Sequence, residues 1–376
     1  MVQQFCKDYV YLDYNATAPL HPAVHEVMID LLSETGNPSS IHKLGRRSRY
    51  LVTQARHGIG QYIDADPEYI IFTAGGSEAN NLALQGVNWE HIIMSPLEHD
   101  SIYKAPLSAE LLAVDDQGLI HLSDLEAKLQ AARDKKTLVS VIWANNETGV
   151  IQPMEEIVSI AHKYGAYVHA DAVQMMGKKE FSFSKSMLDM MTVSAHKFGG
   201  PQGVGALVAK ESIPLTALIR GGGQEKNRRA GTENVAAIGG FAAALAHTPS
   251  LEHLYPWHQE MEEDIQAFAG HEAYVFSQKS PRLPNTTCLV MPYIPNATQV
   301  MNFDLEGFAI SAGSACSSGR VQVSRVLKSI VQDDLKAISA IRISSGWKTT
   351  HQDLIHFAET WKKLYQRHAS SQKGLL

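Results

Sequence analysis

The segment MTVSAHKFGGPQG, Met191 to Gly203, decides how the rest of the chain is read. Three residues at home in a buried strand give way, without a spacer, to Ser194, His196 and Lys197, and then to Gly199-Gly200-Pro201. A strand that ends on polar side chains delivers them to its carboxyl end, which is where open parallel sheets bind ligands. Four other stretches repeat the pattern. Tyr69-Ile70-Ile71-Phe72 leads into TAGGSEANN, His91-Ile92-Ile93-Met94 into SPLEHDS, Leu138-Val139-Ser140-Val141-Ile142 into WANNETG, and Ala166-Tyr167-Val168-His169 into ADAVQ. Longer amphipathic segments separate these runs, so the expected fold class is α/β, a mostly parallel sheet wrapped by helices. The five loops should then share one edge and gather Ser77, His99, Asn146, Asp171, Gln174, Ser194, His196 and Lys197.

Composition agrees with an ordinary enzyme. The chain has 376 residues, 19% charged and 44% apolar, with a formal net charge of -6. That length suffices for a large core in one big domain or two. Basic residues are not massed beyond the pairs Arg46-Arg47 and Arg228-Arg229, which argues against a nucleic-acid surface. The first ten residues, MVQQFCKDYV, lack a charged and apolar leader pattern, and no apolar run reaches membrane-spanning length. Three cysteines, Cys6, Cys288 and Cys316, form neither pairs nor a CxxC spacing, so a reducing, cytoplasmic location is expected.

Past Asn234 the texture changes to the small-residue run VAAIGGFAAALA and then to the polar helix LYPWHQEMEEDIQAF, which reads as a domain crossing. Strand-like NTTCLVM and Ala340-Ile341-Arg342-Ile343 follow, with an amphipathic helix, HQDLIHFAETWKKLYQRH, near the end. A large domain over 14–252 is expected, with 1–13 and 253–376 forming a smaller α/β domain. Cys288 has core-like apolar neighbours. Cys316 instead lies in SAGSACSSG, Ser311 to Gly319, among residues with almost no side chain. Composition alone leaves both a reactive and an incidental thiol open there.

The polar residues suggest a chemistry. Desolvation at a strand end makes Lys197 shed its proton more readily than in water. Gly75-Gly76-Ser77 ahead of a helix offers backbone N–H groups and a helix-dipole end that suit a phosphate. A lysine nucleophile beside a phosphate cradle points to a Schiff base with pyridoxal phosphate, and Asp171 is the carboxylate that a pyridinium nitrogen needs. His99 offers a ring to stack on the cofactor and to move protons. Asn146 and Gln174 offer amides for a phenolic oxygen, and Ser77, Ser194 and His196 offer donors for phosphate. Singly, each has a bland alternative as a cap, a turn or a satisfied side chain.

With these motifs in order, the chain resembles the cysteine desulfurases of the NifS and IscS type, pyridoxal-phosphate transferases of fold type I. The likeness runs through YLDYNATAPL, GNPSSIHKLG, FTAGGSEANNLA, EHDS, NNETGVIQP, HADAVQ, SAHKFGGPQGVGAL, RRAGTENV, GSACSS and IRISSG, nearly the whole chain. The resemblance implies that Lys197 holds the cofactor, Asp171 pairs with its ring nitrogen and His99 stacks on the ring. It implies Gly76, Ser77, Ser194 and His196 at the phosphate, Gln174 and Asn146 at the phenolic oxygen, and Thr232 completing the phosphate site of a second subunit, hence a homodimer. Arg342, with Asn146, would bind the carboxylate of L-cysteine. Cys316 would take the substrate sulfur as a persulfide, leaving alanine, and pass it to an acceptor such as an iron–sulfur scaffold protein, with His99 the candidate base for its thiol. The loop carrying Cys316 would be mobile.

There are departures. Ser77 stands where the family more often has threonine, which keeps the hydroxyl, and the SSGRVQVSRVL after Cys316 fits the branch with the longer loop. Among rivals, an aminotransferase has no need of Cys316, whereas a selenocysteine lyase shares nearly all of this chemistry. A catalytically silent sulfur-delivery partner is at odds with keeping both Lys197 and Cys316. The spacing His21-x-x-x-His25-Glu26 allows a shared helix face, but its order is not HExxH, and a solvated helix is the simpler reading.

Overall fold

A computed structural model describes residues 9–312 and 323–373; Cys6 and Cys316 lie outside the described residues. Along the chain come β1 (Val10–Tyr11), β2 (Ile70–Thr73), β3 (His91–Met94), β4 (Glu110–Leu111), β5 (Thr137–Ile142), β6 (Tyr167–Asp171), β7 (Met190–Ser194), β8 (Gly205–Ala209), β9 (Thr286–Val290), β10 (Phe308–Ala309) and β11 (Ala340–Ser344). β2 to β8 make one sheet of seven strands in the order β2-β8-β7-β6-β5-β3-β4. β4, β3, β5, β6 and β7 run parallel, while β8 is antiparallel to both β7 and β2. Two reversals return β2 to the direction of the parallel set, so all five polar loops leave from the same edge.

Two strand boundaries shift. Tyr69 belongs to the turn Pro67–Tyr69 ahead of β2, and β6 begins at Tyr167 and runs on through Asp171. β8, sequence GALVA, is a strand that the sequence reading did not separate from the glycine-rich loop before it.

The central strands are apolar because both faces are covered. β2, β5, β7 and β8 are buried at every residue. Val139, Val141, Val168, Met191 and Val208 pack on one side, and Ile71, Ile92, Leu138, Met190 and Leu207 on the other. The small-residue run 235–246 is a helix, Val235–Ala246, pressed against the helix Pro22–Ser33. A Cβ on Gly239 would stand 2.2 Å from Leu31 Cδ1, and one on Gly240 2.9 Å from Met28 Cγ, so the small residues permit close helix approach. His21 caps the helix Pro22–Ser33, accepting from Ala23 N–H, and its ring stacks on His247.

A separate apolar cluster joins Met261, Ile265, Phe303, Phe357 and Trp361, with the Phe303 and Phe357 rings stacked at 4.8 Å. Beside it β9 and β11 pair antiparallel, setting Cys288 opposite Arg342.

The loop that leads to Thr232 is held under strain. Glu225, Lys226 and Asn227 follow one another with φ of 45°, 58° and 63°, a left-handed run that non-glycine residues resist. The buried Glu225 carboxylate offsets this, taking both terminal nitrogens of Arg56 at 2.7 and 2.9 Å and the Phe72 N–H at 2.9 Å. Glu225→Gln deprives Arg56 of its counter-charge within the fold and is expected to lower unfolding free energy by about 3 kcal/mol, read from urea denaturation. An unchanged midpoint would show that the pair carries none of the loop's stability.

Candidate active site

Lys197 sits one turn beyond β7, on the short helical turn Ala195–Lys197. Its Nζ donates to the carbonyls of Asn15 and Ala16, both at 2.8 Å. Burial, reinforced by the Arg342 charge and opposed by Asp171 and Asp13, lowers its pKa to about 8. At pH 7 that leaves about a tenth of the side chain as free amine, against roughly 0.03% for an ordinary lysine. An amine in this setting has the chemistry a nucleophile needs.

Asn15 organises the space around it. This buried residue of YLDYNATAPL receives Gln174 Nε2 on its carbonyl at 2.9 Å and donates through Nδ2 to the Asn146 carbonyl at 3.1 Å and Thr286 Oγ1 at 2.9 Å. Its own N–H donates to Ser344 Oγ at 3.0 Å. Lys178, also buried, donates to Asn15 Oδ1 at 2.6 Å and to Gln174 Oε1.

On the neighbouring strand Asp171 is buried at the end of β6. It accepts from Val173 N–H at 3.0 Å and from Asn80 Nδ2 at 2.9 Å. Asn80 also reaches Ser101 Oγ at 2.9 Å, and that hydroxyl lies 2.7 Å from His99 Nδ1. His99 and Asp171 therefore belong to one hydrogen-bond chain. Nδ1 of His99 additionally accepts from Ser101 N–H at 3.1 Å, so the exposed ring is held by one edge while its face and Nε2 stay available.

A cluster suited to an anion stands beside these groups. The helix Gly76–Gln85 begins with Gly76 and the exposed Ser77. A Cβ at Gly76 would come within 3.0 Å of Val173 Cγ2 and 3.6 Å of Ser194 Cβ, so the helix start lies against the end of β7. Ser194 Oγ is buried there with no hydrogen-bond partner among the described residues, an uncompensated group that asks for a ligand. His196 pairs through Nδ1 with Thr17 Oγ1 at 3.2 Å; burial first, then Lys197 and Lys178, lowers its pKa to about 4. It is accordingly a neutral ring, which leaves an anion's charge to be met by the helix end and the lysines.

Arg342, on β11, is buried and holds Asp13 Oδ1 at 2.6 Å and the Asn146 carbonyl at 3.0 Å. Its Nε has no partner among the described residues. The guanidinium thus stands beside Asn146, as the sequence suggests, while already paired to Asp13, an ion pair the sequence reading did not foresee. A carboxylate ligand has to share or displace that pairing.

Cys316 cannot be placed, but the chain on either side of it can. Ser311 exchanges two backbone hydrogen bonds with Arg342, at 2.8 and 3.2 Å. Ser324 Oγ donates to the buried Glu147 at 2.7 Å. Arg325 reaches the carbonyls of Pro96 and Glu98 and stacks over the Tyr103 ring at 3.7 Å. The described residues on the two sides of 313–322 therefore stand beside Arg342 and beside the His99 loop. Cys288 has a different character: it is fully buried, and burial pushes its thiol pKa far up, which makes it inert.

Thr232 lies on an exposed turn lining a cavity of about 200 Å³ with Thr73, Ala74, Gly203 and Arg229. Arg229 in turn pairs with Glu78 in the first turn of the helix Gly76–Gln85 at 2.9 Å. No hydrogen bond among the described residues joins Thr232 to the Lys197 group of the same chain. A larger cavity, about 520 Å³, is lined by Arg49, Arg56, His57 and Arg228 and shares none of its lining with the lysine network.

Of the residues expected from sequence, Lys197, Gln174 and Asn146 come together through Asn15, Arg342 joins them at the Asn146 carbonyl, and Asp171 and His99 meet through Asn80. Asn15, Asn80, Asp13 and Lys178 were missed. Asn15 and Asp13 stand in YLDYNATAPL and Asn80 in TAGGSEANN, so the signal was present in quoted motifs without a role to attach to it.

The site is thus a depressed-pKa lysine and a buried aspartate on adjacent strand ends of a seven-stranded, mostly parallel sheet, and the solved NifS-like structures place this α/β architecture in fold type I of the pyridoxal-phosphate proteins. The family description "Aminotransferase class-V" matches residues 10–357. A relative from Dictyoglomus turgidum named "Cysteine desulfurase IscS" is 37% identical over 377 residues, covering 95% of each chain. The solved structure of a NifS-like protein from Rickettsia africae superposes with a TM-score of 0.87 at 34% identity, covering 95% of this chain and 99% of that one. A structure described as SspA in complex with cysteine gives 0.77 at 30% identity over 89% and 98%. The chain belongs to the class-V aminotransferase family, in its IscS/NifS cysteine desulfurase branch.

Proposed function

We propose that the chain is a pyridoxal-phosphate-dependent cysteine desulfurase, taking sulfur from L-cysteine to give L-alanine and a persulfide on Cys316. The observation that carries this reading is the Lys197 amine, at a pKa of about 8, grouped with the partnerless Ser194 hydroxyl and the Gly76 helix start. That donor set fits the cofactor: an amine for its aldehyde, Gly76, Ser77, Ser194 and His196 for its phosphate, Asp171 for its ring nitrogen, and Gln174 with Asn146 for its phenolic oxygen. When bound, pyridoxal phosphate supplies an electron sink for bonds broken at the substrate's carbon atoms.

The remaining work belongs to the chain. Arg342 and Asn146 hold the substrate carboxylate, which fixes the amino acid's orientation. Asp171, oriented by the Val173 N–H and Asn80, would pair with the cofactor's ring nitrogen. His99 would stack on the ring and serve as the base for the Cys316 thiol. Cys316 attacks the substrate sulfur as thiolate; an S–S bond forms, the C–S bond breaks, and a proton returned to the carbon completes alanine.

A homodimer in which Thr232 serves the partner's phosphate is part of this reading. Exposed Ile41 and Leu44 in GNPSSIHKLG, and Leu218 and Ile219 ahead of the Thr232 turn, supply apolar surface for a second copy. The division into 14–252 and a smaller unit of 1–13 with 253–376 is likewise proposed, supported by the separate cluster around Phe303 and Trp361. The described residues contain no helix long and apolar enough to cross a membrane. We place the protein in the cytoplasm, with its sulfur passing to an acceptor protein such as an iron–sulfur scaffold.

The test is a visible spectrum of purified protein before and after L-cysteine, with alanine and sulfide measured in the same tube. A cofactor band that shifts, with alanine formed, is the expected result. A protein that gains no band on addition of pyridoxal phosphate overturns the reading.

A further inference from the structure

Lys178 is a buried cation-forming group for which the chemistry above has no use. It lies four residues after Gln174, in a turn that Gly177 makes possible: φ is +76° there, and a Cβ would stand 2.3 Å from Phe198 Cβ. That turn aims the lysine back beneath the Lys197 site. Among the described residues its Nζ meets no carboxylate. It donates to two amide oxygens, Asn15 Oδ1 at 2.6 Å and Gln174 Oε1, while Gln174 Nε2 donates to the Asn15 carbonyl at 2.9 Å. The three residues close a ring through the Asn15 backbone, and the same Asn15 carbonyl accepts from Lys197.

The geometry points to Lys178 as a positioning residue that pins the oxygen end of the Gln174 amide and so presents its NH₂ end to the cofactor's phenolic oxygen. This rests on the reading of the site as a pyridoxal-phosphate site. The Asn15 carbonyl can only accept, and Lys178 covers the opposite end, so the amide has one orientation while both neighbours are in place. Removing Lys178 leaves two buried amide oxygens without donors and frees the amide to rotate. The charged groups facing Lys178 are Lys197 and Arg342, and burial together with them holds its pKa well below the usual lysine range. His196 also faces it but stays neutral; Asp13 is engaged by Arg342, and Asp171 by Asn80 and Val173. A neutral amine has two N–H groups, the number of amide oxygens it meets.

Loss of the Gln174 donor makes the phenolic oxygen more basic, which holds the proton of the lysine–cofactor linkage more tightly. The pH midpoint of the visible band therefore rises. The experiment is a spectrophotometric pH titration of the cofactor-loaded wild type, Lys178→Met, Lys178→Gln, Gln174→Ala and the Lys178→Met/Gln174→Ala double variant. We expect the midpoint of Lys178→Met to rise by about one pH unit, that of Lys178→Gln by less, and Lys178→Met to add no shift once Gln174 is alanine. An unchanged midpoint in Lys178→Met overturns the inference, as does a full additional shift in the double variant, which would assign the effect to the lysine's charge alone. If Lys178→Met does not fold, a wild-type midpoint in Lys178→Gln overturns it equally. A wild type with no visible band overturns both the cofactor reading and the inference.

Discussion

Replacing Lys197 with alanine should abolish both the visible band of the purified protein and its turnover of L-cysteine, with a rate loss of more than about 10³-fold. The amine is the only group at the end of β7 able to form the covalent link, and its surroundings are arranged for it. Two backbone carbonyls hold Nζ, while burial and Arg342 lower its pKa to about 8. A pH dependence follows with a definite sign. Below about 8 the amine is protonated, so the rate at which apoprotein captures cofactor should rise roughly tenfold per pH unit and level off above that value. In the apoprotein the lowered pKa means that the unfolded state binds more protons between about 8 and 10.5, so this lysine's contribution to stability rises with pH across that window. A variant that stays coloured and active would remove Lys197 from the centre of the mechanism.

Cys316→Ser should have an equally large effect of a different kind: the band remains, L-cysteine still perturbs it, and alanine and sulfide formation fall to below about 1% of wild type. Serine keeps the size of the side chain but supplies no sulfur to form the S–S bond. The structure removes one substitute, since Cys288 is sealed between β11 and the apolar residues around it with its thiol pKa far raised. Activity that survives in Cys316→Ser would assign the sulfur to another thiol. Loss of the band would instead make Cys316 a structural requirement of the cofactor site.

How far the site could be read from sequence depended on distance along the chain. Lys197, Ser194 and His196 announce themselves because a buried strand ends on them, and Asp171 is legible for the same reason. Asn15 is not, because its importance lies in a carbonyl and in bonds to residues far away in sequence, whereas motif reasoning looks for side chains near one another. Lys178 carries no motif that would mark it, and only the fold turns it inward. The pairing of Arg342 with Asp13 joins chain ends that no local pattern connects. The antiparallel β8 was hidden for a simpler reason: GALVA follows directly on a run of glycines that reads as loop.

The embrace of Asn15 has a consequence for how the protein is made. Its N–H is held by Ser344, 329 residues later, and its carbonyl by Lys197, 182 residues later. Contacts of such separation form late in folding, after the entropy of closing the chain has been overcome. During synthesis β11 emerges long after the strands of the central sheet, so a nascent chain that has already built that sheet still lacks the strand that closes Asn15 over the lysine. Arrival of colour during refolding should therefore time the last event of folding, the meeting of the two ends of the chain, and lag behind the appearance of helix and sheet.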